Sequence, residues 1–269
     1  MTEDIPAPAE AGTEAVYVFA VCRAEEPPDL TGPVGLTGDS PLRPLAVGPA
    51  LMAVVQTVRA ADFTDEAWQA RLADEPELER YARAHHEVVC TVASRLPTVP
   101  LPLATLYHDE QRARAALGRE SRRFNAALER TANHSEWGVK VYVTGAPARE
   151  AAEAAEAAPR RPAAGAGRAY LDRKRSLRDR RERHRTDALR IADAVDADVS
   201  ALATASRRLP PHGGRVPDER RTQVLNATYL VAEERSAELA RLARNLGERT
   251  GAQVELSGPW VPYSFVGEV

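Results

Sequence analysis

The C-terminal tail, Val254-Glu-Leu-Ser-Gly-Pro-Trp-Val-Pro-Tyr-Ser-Phe265, is the stretch around which the fold must be organised. It starts as a short strand, but Pro259 and Pro262 remove backbone donors and Gly258 permits a sharp turn, so we expect the strand to stop before them. Three large aromatic side chains lie within its last six residues, in a chain that is only 5% aromatic. Because so apolar a segment frays unless it is docked, we predict that it completes a domain core or forms a binding surface.

The composition places broad limits on the protein. The 269 residues suffice for two domains, and the hydrophobic and charged fractions of 43% and 28% are ordinary for a soluble protein. A net charge of −3 predicts no general attraction to nucleic acid or anionic membranes. The acidic N-terminus has no signal-peptide pattern, and the apolar run at 15–21 is too short to span a bilayer. We therefore expect a cytoplasmic protein without a membrane span, whose two cysteines, Cys22 and Cys90, are free thiols.

The first half of the chain mixes strands with helices. Runs of β-branched and aromatic residues predict strands, and apolar residues that recur every three or four positions predict helices. The prolines between residues 97 and 107 bias their predecessors away from helix, so this segment is expected to be an extended edge or strap. The predicted strands are 16–22, 42–47, 51–58 and 136–143, and the predicted helices are 62–73 with Thr64 as N-cap, 77–95 and 109–130.

The Gly32-Pro-Val-Gly-Leu-Thr-Gly38 loop is rich in glycine, as phosphate-binding loops are. It matches neither GxGxxG nor GxxxxGK[ST], and no helix opens after it. Glycine and proline are also the usual residues of turns, so we interpret this segment as a turn and not as a nucleotide site.

The second half opens with a segment rich in alanine, proline and glutamate, which we interpret as a linker. The helix after it carries nine basic residues between Arg173 and Arg190, interleaved with acids. We interpret this half of the helix as a solvated, salt-bridged face, and binding of nucleic acid is the alternative. The predicted elements are a helix at 170–208 with the apolar stripe Leu189, Ala192, Val195, Val199 and Leu202, a strand at 223–232, a helix at 236–249 closed by Gly251, and a strand at 253–256.

These elements predict an α+β fold in two domains. We place the N-terminal domain at 14–144, the linker at 145–167, and the C-terminal domain, with the long helix and the aromatic tail, at 168–269. Each domain is expected to hold a small, mostly antiparallel sheet packed by helices, and at least one should be ferredoxin-like.

The ionisable residues do not form a recognisable catalytic arrangement. The chain has no HExxH, GxSxG, CxxC, Walker A or dinucleotide motif. His85 lies on the apolar stripe of helix 77–95, and we interpret it as a packing histidine. His86 and Cys90 are four residues apart and could share a ligand, but two ligands alone make a poor metal site. The sequence therefore predicts no catalytic residue, no metal and no cofactor, and gives no support to an enzyme.

Seven stretches that follow one another along the chain provide a further signal. They are Tyr17-Val-Phe-Ala-Val21, His85-His-Glu-Val-Val89, Val99-Pro-Leu-Pro-Leu103, Glu136-Trp-Gly-Val-Lys-Val141, Gly167-Arg-Ala-Tyr-Leu171, Asn226-Ala-Thr-Tyr-Leu-Val231 and Leu256-Ser-Gly-Pro-Trp-Val-Pro-Tyr-Ser-Phe265. Together they resemble the gas vesicle protein family L/F (GvpL/GvpF) over nearly the whole chain. The chain departs from that family at Pro102-Leu-Ala-Thr105, where an Arg-Phe-Gly-Thr run is common.

The resemblance implies an accessory protein of gas vesicle formation that is not an enzyme. Such a protein is expected to bind the small hydrophobic shell protein, other accessory proteins, or both, in the cytoplasm and in association with the vesicle. A minor structural component that stays in the vesicle is the alternative. A nucleic-acid binder or an uncharacterised enzyme would be a different class of protein.

The candidate partner-binding residues are Trp260, Tyr263 and Phe265, at or beside an interdomain surface. Aromatic side chains are enriched where binding energy is concentrated. The alternative, which we weigh above it, is that the tail merely closes the core of the C-terminal domain.

Overall fold

The computed structural model describes residues 14–144, 166–210 and 221–267. The chain divides into two compact units. Unit 1 comprises Met1–Asn133 together with Val261–Val269, and unit 2 comprises His134–Trp260. The two units have separate sheets, and every strand pairing among the described residues is antiparallel. The prediction of an α+β fold with two antiparallel sheets is therefore confirmed.

The sheet of unit 1 is built around its first strand. The strand order is β2-β3-β1-β4, and β5 also pairs with β1. Every residue of β1 from Ala15 to Cys22 is buried, because helices cover both faces of the sheet. A register shift between Val18 and Ala20 lets Phe19 and Ala20 pack into the same cluster. The strands are β1 (Glu14–Arg23), β2 (Arg43–Gly48), β3 (Leu51–Arg59), β4 (Thr98–Pro100) and β5 (Leu106–Tyr107).

Two helical layers enclose this sheet. Helix α2 buries its predicted stripe against one face, and α3 with α4 bury theirs against the other. Thr64 caps α1 as predicted, since its side chain accepts a hydrogen bond from the Ala67 N–H. The single helix predicted at 109–130 is broken at Glu120, two residues after the poor helix former Gly118. The helices are α1 (Asp65–Ala73), α2 (Glu75–Ala93), α3 (Glu110–Arg119) and α4 (Ser121–Thr131).

The described elements of unit 2 follow the β-α-β-β-α-β order of ferredoxin-like folds. Its sheet order is β7-β8-β6-β9, so its first and third strands lie at the centre. Trp137, Val139 and Val141 alternate along one face of β6 and pack against both described helices of the unit. The elements are β6 (His134–Thr144), α5 (Ala166–Leu202), β7 (Ala205–Arg208), β8 (Arg221–Ala232), α6 (Ser236–Thr250) and β9 (Gln253–Trp260).

Two predicted element boundaries in unit 2 are wrong. The long helix ends at Leu202 and not at residue 208, because residues 205–208 pair with β8 as an edge strand. Strand β9 continues through Pro259 to Trp260, which lies opposite Glu136. Proline is tolerated there because β9 is an edge strand that pairs with β6 alone.

The structure also places the unit boundaries elsewhere than expected. Strand β6 belongs to unit 2, since it supplies the centre of that sheet. Residues 261–267 belong to unit 1, so this last part of the tail does not close the core of the C-terminal unit. The linker expected at 145–167 lies, except for its last two residues, outside the described part of the chain.

The glycine-rich loop at 32–38 wraps around one buried side chain, Gln56. The Gln56 amide nitrogen lies 2.7–3.0 Å from three backbone oxygens, and its oxygen accepts a 2.8 Å hydrogen bond from the Leu36 N–H. Gly35 has φ +81°, and a Cβ there would come within 2.6 Å of the Gln56 side chain. Converging carbonyl oxygens repel anions, which supports the interpretation as a turn. The three oxygens belong to Val34, Thr37 and Ser40.

We predict that Gln56→Ala lowers the free energy of unfolding by about 2–3 kcal/mol, because buried partners of the amide lose their hydrogen bonds. Urea unfolding followed by circular dichroism measures the change. Gln111→Ala, at an exposed helical position, is the matched control and should change stability by less than about 0.5 kcal/mol. Equal effects of the two substitutions would contradict this role of Gln56.

Candidate functional site

The distal tail, residues 261–267, docks onto unit 1 after β9 ends. Tyr263–Phe265 form one turn of 3-10 helix. Val261 and Tyr263 pack against the core cluster under α2, whereas Val266 packs against the cluster under α3 and α4. The distal tail therefore contacts the cores on both faces of the unit 1 sheet.

Polar contacts tie the distal tail to helix α2. The Tyr263 hydroxyl lies 3.4 Å from His86 Nδ1, and the Cys90 Sγ lies 3.3 Å from His86 Nε2. Burial raises the pKa of the Cys90 thiol and that of the Tyr263 hydroxyl, so both stay protonated at neutral pH. A protonated thiol is a poor nucleophile, and the arrangement positions the tail without offering catalysis.

A buried network beneath the distal tail holds the segment after β4. The Tyr17 hydroxyl accepts a 3.1 Å hydrogen bond from the Ala104 N–H and lies 2.9 Å from His85 Nδ1, to which it can donate its proton. His85 stacks on Phe19, with ring centroids 5.5 Å apart. Burial is the main cause that lowers the pKa of His85 to about 4 and raises that of Tyr17 to about 12. His85 is thus a neutral packing histidine, in agreement with its position on the apolar stripe.

A cleft of about 380 Å³ opens in unit 1 between this segment, helices α3 and α4, and the distal tail. Its walls are mostly apolar, and Glu120 and Arg123 form a 2.8 Å ion pair at its polar side. The lining includes Val99, Leu101, Pro102, Tyr107, Leu117, Phe124, Tyr263 and Val266. We call this space the unit 1 cleft, and its volume is that of a site for one or two large apolar side chains.

The three candidate partner-binding residues differ in their surroundings. Phe265 is buried, at 8% exposure, and Tyr263 is half-buried beside the cleft. Trp260 is 49% exposed and belongs to unit 2, on strand β9. The structure therefore brings Tyr263 and Phe265 into one unit and leaves Trp260 in the other.

The Gly-Pro-Trp part of the tail has a packing role of its own in unit 2. Gly258 has φ +128°, and a Cβ there would lie 2.9 Å from the Glu136 carbonyl oxygen and 3.0 Å from the Trp137 ring. Only glycine fits this close approach without a shift of the backbone. Sequence reasoning treated this glycine as a turn residue and missed the contact with the buried tryptophan.

Other kinds of site are not apparent in the described ranges. Among these residues, no three His, Cys, Asp or Glu side chains converge as a metal site. Within the same ranges, no helix is both long enough and apolar enough to cross a membrane.

Comparisons with known proteins agree on one family. The model of the family described as gas vesicle synthesis protein GvpL/GvpF matches residues 15–267. Gas vesicle protein L of Streptomyces sp. (strain CB03234) is 37% identical over 255 residues, which cover 93% of this chain and 92% of that relative. Crystal structures of GvpF from Anabaena sp. PCC7120 and Microcystis aeruginosa match with TM-scores of 0.64 and 0.61, both at 12% identity. The match to the Anabaena structure covers 95% of this chain and 97% of that protein, and the match to the Microcystis structure covers 94% and 99%. These matches establish the shared fold.

We predict that His85 makes unit 1 acid-sensitive. Its folded pKa of about 4 lies below the usual 6.5, so its contribution is complete above pH 6.5 and is lost as the pH falls towards 4. The loss amounts to about 3 kcal/mol. His85→Gln keeps an acceptor for Tyr17 and should flatten the dependence of urea midpoints on pH in this range. His108→Gln, at an exposed histidine, should leave the wild-type slope.

We predict that substitutions at the two ends of the aromatic tail lower the free energy of unfolding by different amounts. Phe265→Ala should lower the free energy of unfolding by about 3 kcal/mol, since it empties a buried site. Trp260→Ala should cost less, about 1–2 kcal/mol, because half of that side chain is already in water. Thermal melting and urea titration measure both. A stability loss that is equal for the two variants would contradict the docking described for residues 261–267.

Proposed function

The chain belongs to the GvpL/GvpF family of gas vesicle synthesis proteins, and on this premise we propose that it is an accessory protein which binds the hydrophobic shell protein to support vesicle assembly. The main structural support for this binding is the unit 1 cleft, an open apolar site beside the distal tail. Other accessory proteins are further candidate partners of the same surface.

Physical chemistry favours a cleft of this kind for such a partner. A very hydrophobic subunit aggregates unless another protein covers its apolar surface before assembly. Apolar side chains of a helix or strand could enter the unit 1 cleft, whose walls include Leu101, Phe124 and Tyr263. The Glu120–Arg123 pair would stay at the polar rim, where it costs little.

The rigidity of the cleft also supports this proposal. The segment that lines it is tied to the core by Tyr17, and the distal tail is tied to α2 through His86. A preformed site loses less conformational entropy when it binds than a flexible one does. Trp260, exposed on unit 2, is a second candidate contact of the aromatic type that is enriched at interfaces.

We infer that the protein acts by binding and not by catalysis. Tyr17 and His85, whose pKa values are strongly perturbed, point into the core of unit 1 and hydrogen bond to each other. Such groups stabilise the fold and are not presented to a substrate. If the protein instead stays in the finished vesicle as a minor component, it would use the same binding surface. Washing of purified vesicles distinguishes this role from that of an assembly factor, because a retained component stays with the washed vesicles.

We predict that Pro102→Glu, which places a charge in the unit 1 cleft, lowers recovery of co-expressed shell protein about tenfold in a pulldown with the full chain. Pro27→Glu makes the same change at an exposed proline outside the cleft and serves as the matched control. Trp260→Ala tests the second contact in the same assay, and vesicle formation in cells is scored for every variant.

Two results would count against the proposal in different ways. If Pro102→Glu keeps its melting temperature and recovers as much shell protein as the control, the cleft is not the binding site. If the wild-type chain recovers no shell protein, and deletion of the gene leaves vesicles intact, the assembly role itself is wrong.

A further inference from the structure

A second open site lies in unit 2, where the exposed half of α5 passes the ends of β6 and β8. The space measures about 560 Å³, and we call it the unit 2 groove. Its apolar floor consists of the half-buried side chains of Val143, Ile191 and Val224, together with Leu189. Leu189 was expected on the buried stripe of the helix, but the structure leaves it 54% exposed. An exposed leucine above a half-buried apolar floor marks a surface that a partner can cover.

One side of the groove is basic. Arg181, His184 and Arg185 line it, and none of the described carboxylates forms an ion pair with either arginine. Asp187, the only acid among the described lining residues, lies 3.5 Å from Arg190. The sequence predicted a salt-bridged face here, and for Arg181 and Arg185 that prediction is wrong. Unpaired arginines beside an apolar floor complement a surface that is both apolar and acidic.

We propose that the unit 2 groove is the docking site for an acidic amphipathic helix of a partner protein. The leucines of such a helix would cover Leu189, Val143 and Val224, and its carboxylates would meet Arg181 and Arg185. Helices recur in apolar grooves because residues at i, i+3 and i+4 share one face. The proposal does not depend on the unit 1 cleft, which lies in the other unit and has a different chemistry.

The make-up of the groove favours a protein helix over a nucleic acid. Single strands bind on aromatic side chains that stack with the bases, and the described lining of the groove contains no phenylalanine, tyrosine or tryptophan. A polyanion would also gain nothing from Leu189, whereas an amphipathic helix would. The contribution of Leu189 therefore separates the two kinds of partner.

The test uses the full chain and a labelled synthetic peptide with leucines on one helical face and glutamates beside them. A second peptide carries lysines in place of the glutamates. Fluorescence anisotropy should show binding of the acidic peptide at least about tenfold tighter than binding of the basic one. Arg181→Ala with Arg185→Ala should weaken acidic-peptide binding about tenfold or more, and Leu189→Ala about fivefold.

A matched control removes two charges from the same helix outside the groove. The double variant Arg180→Ala with Arg183→Ala leaves Arg181 and Arg185 of the groove lining in place. It should weaken binding of the acidic peptide by less than about twofold. All these side chains are exposed, so the variants should keep the wild-type melting temperature.

Three outcomes would overturn the proposal. Equal losses for the two arginine pairs would mean general attraction to a basic helix. No effect of Leu189→Ala, combined with equal competition by an oligothymidine, would mean a polyanion site. Binding of the acidic peptide only to the triple variant Glu150→Ala, Glu153→Ala and Glu156→Ala would mean that a segment of this chain, and not a partner protein, occupies the groove.

Discussion

The Tyr17 hydroxyl is the constraint on which the candidate site in unit 1 depends. Tyr17 has no exposed surface, and a buried hydroxyl without hydrogen bonds would destabilise the fold by about 1–3 kcal/mol. Its partners are His85 on α2 and the backbone of Ala104. One atom therefore fixes β1, a covering helix and the segment that lines the cleft. The distal tail contacts α2 at His86, the residue after His85, through the Tyr263 hydroxyl.

Periodicity in the sequence was sufficient to predict most elements, because it records which face of a strand or helix is buried. The stripes of α2 and of α3 with α4, and the alternation in β6, all correspond to buried residues. The same signal cannot identify the surface against which a face packs. Residues 261–267 are apolar whether they dock on unit 1 or unit 2, so their return to unit 1 could not be predicted. Strand β7 was missed for the same reason, since backbone pairing with β8 overrides the helical pattern of residues 205–208.

The candidate site, too, was predictable from the sequence only in part. Composition identified the aromatic tail, and the structure then separated it into a buried anchor at Phe265, a cleft wall at Tyr263 and an exposed ring at Trp260. The cleft itself combines segments that lie more than a hundred residues apart, so no local pattern contains it. The proline-rich stretch at 97–107 was the available signal, because an extended strap with few backbone donors has to be held by its neighbours. In unit 2, the exposure of Leu189 was missed because the stripe extends past the point where α5 stops packing.

The departure from the family pattern at Pro102-Leu-Ala-Thr105 can be understood in backbone terms. Ala104 adopts φ +64°, a left-handed conformation that costs a residue with a Cβ about 1 kcal/mol and costs glycine nothing. Glycine, the residue common in the family here, would suit this backbone, whereas this chain adopts the conformation with alanine. The hydrogen bond from the Ala104 N–H to Tyr17 is of comparable size and offsets the strain. The position of the Ala104 backbone in the cleft wall is thus held by the buried tyrosine.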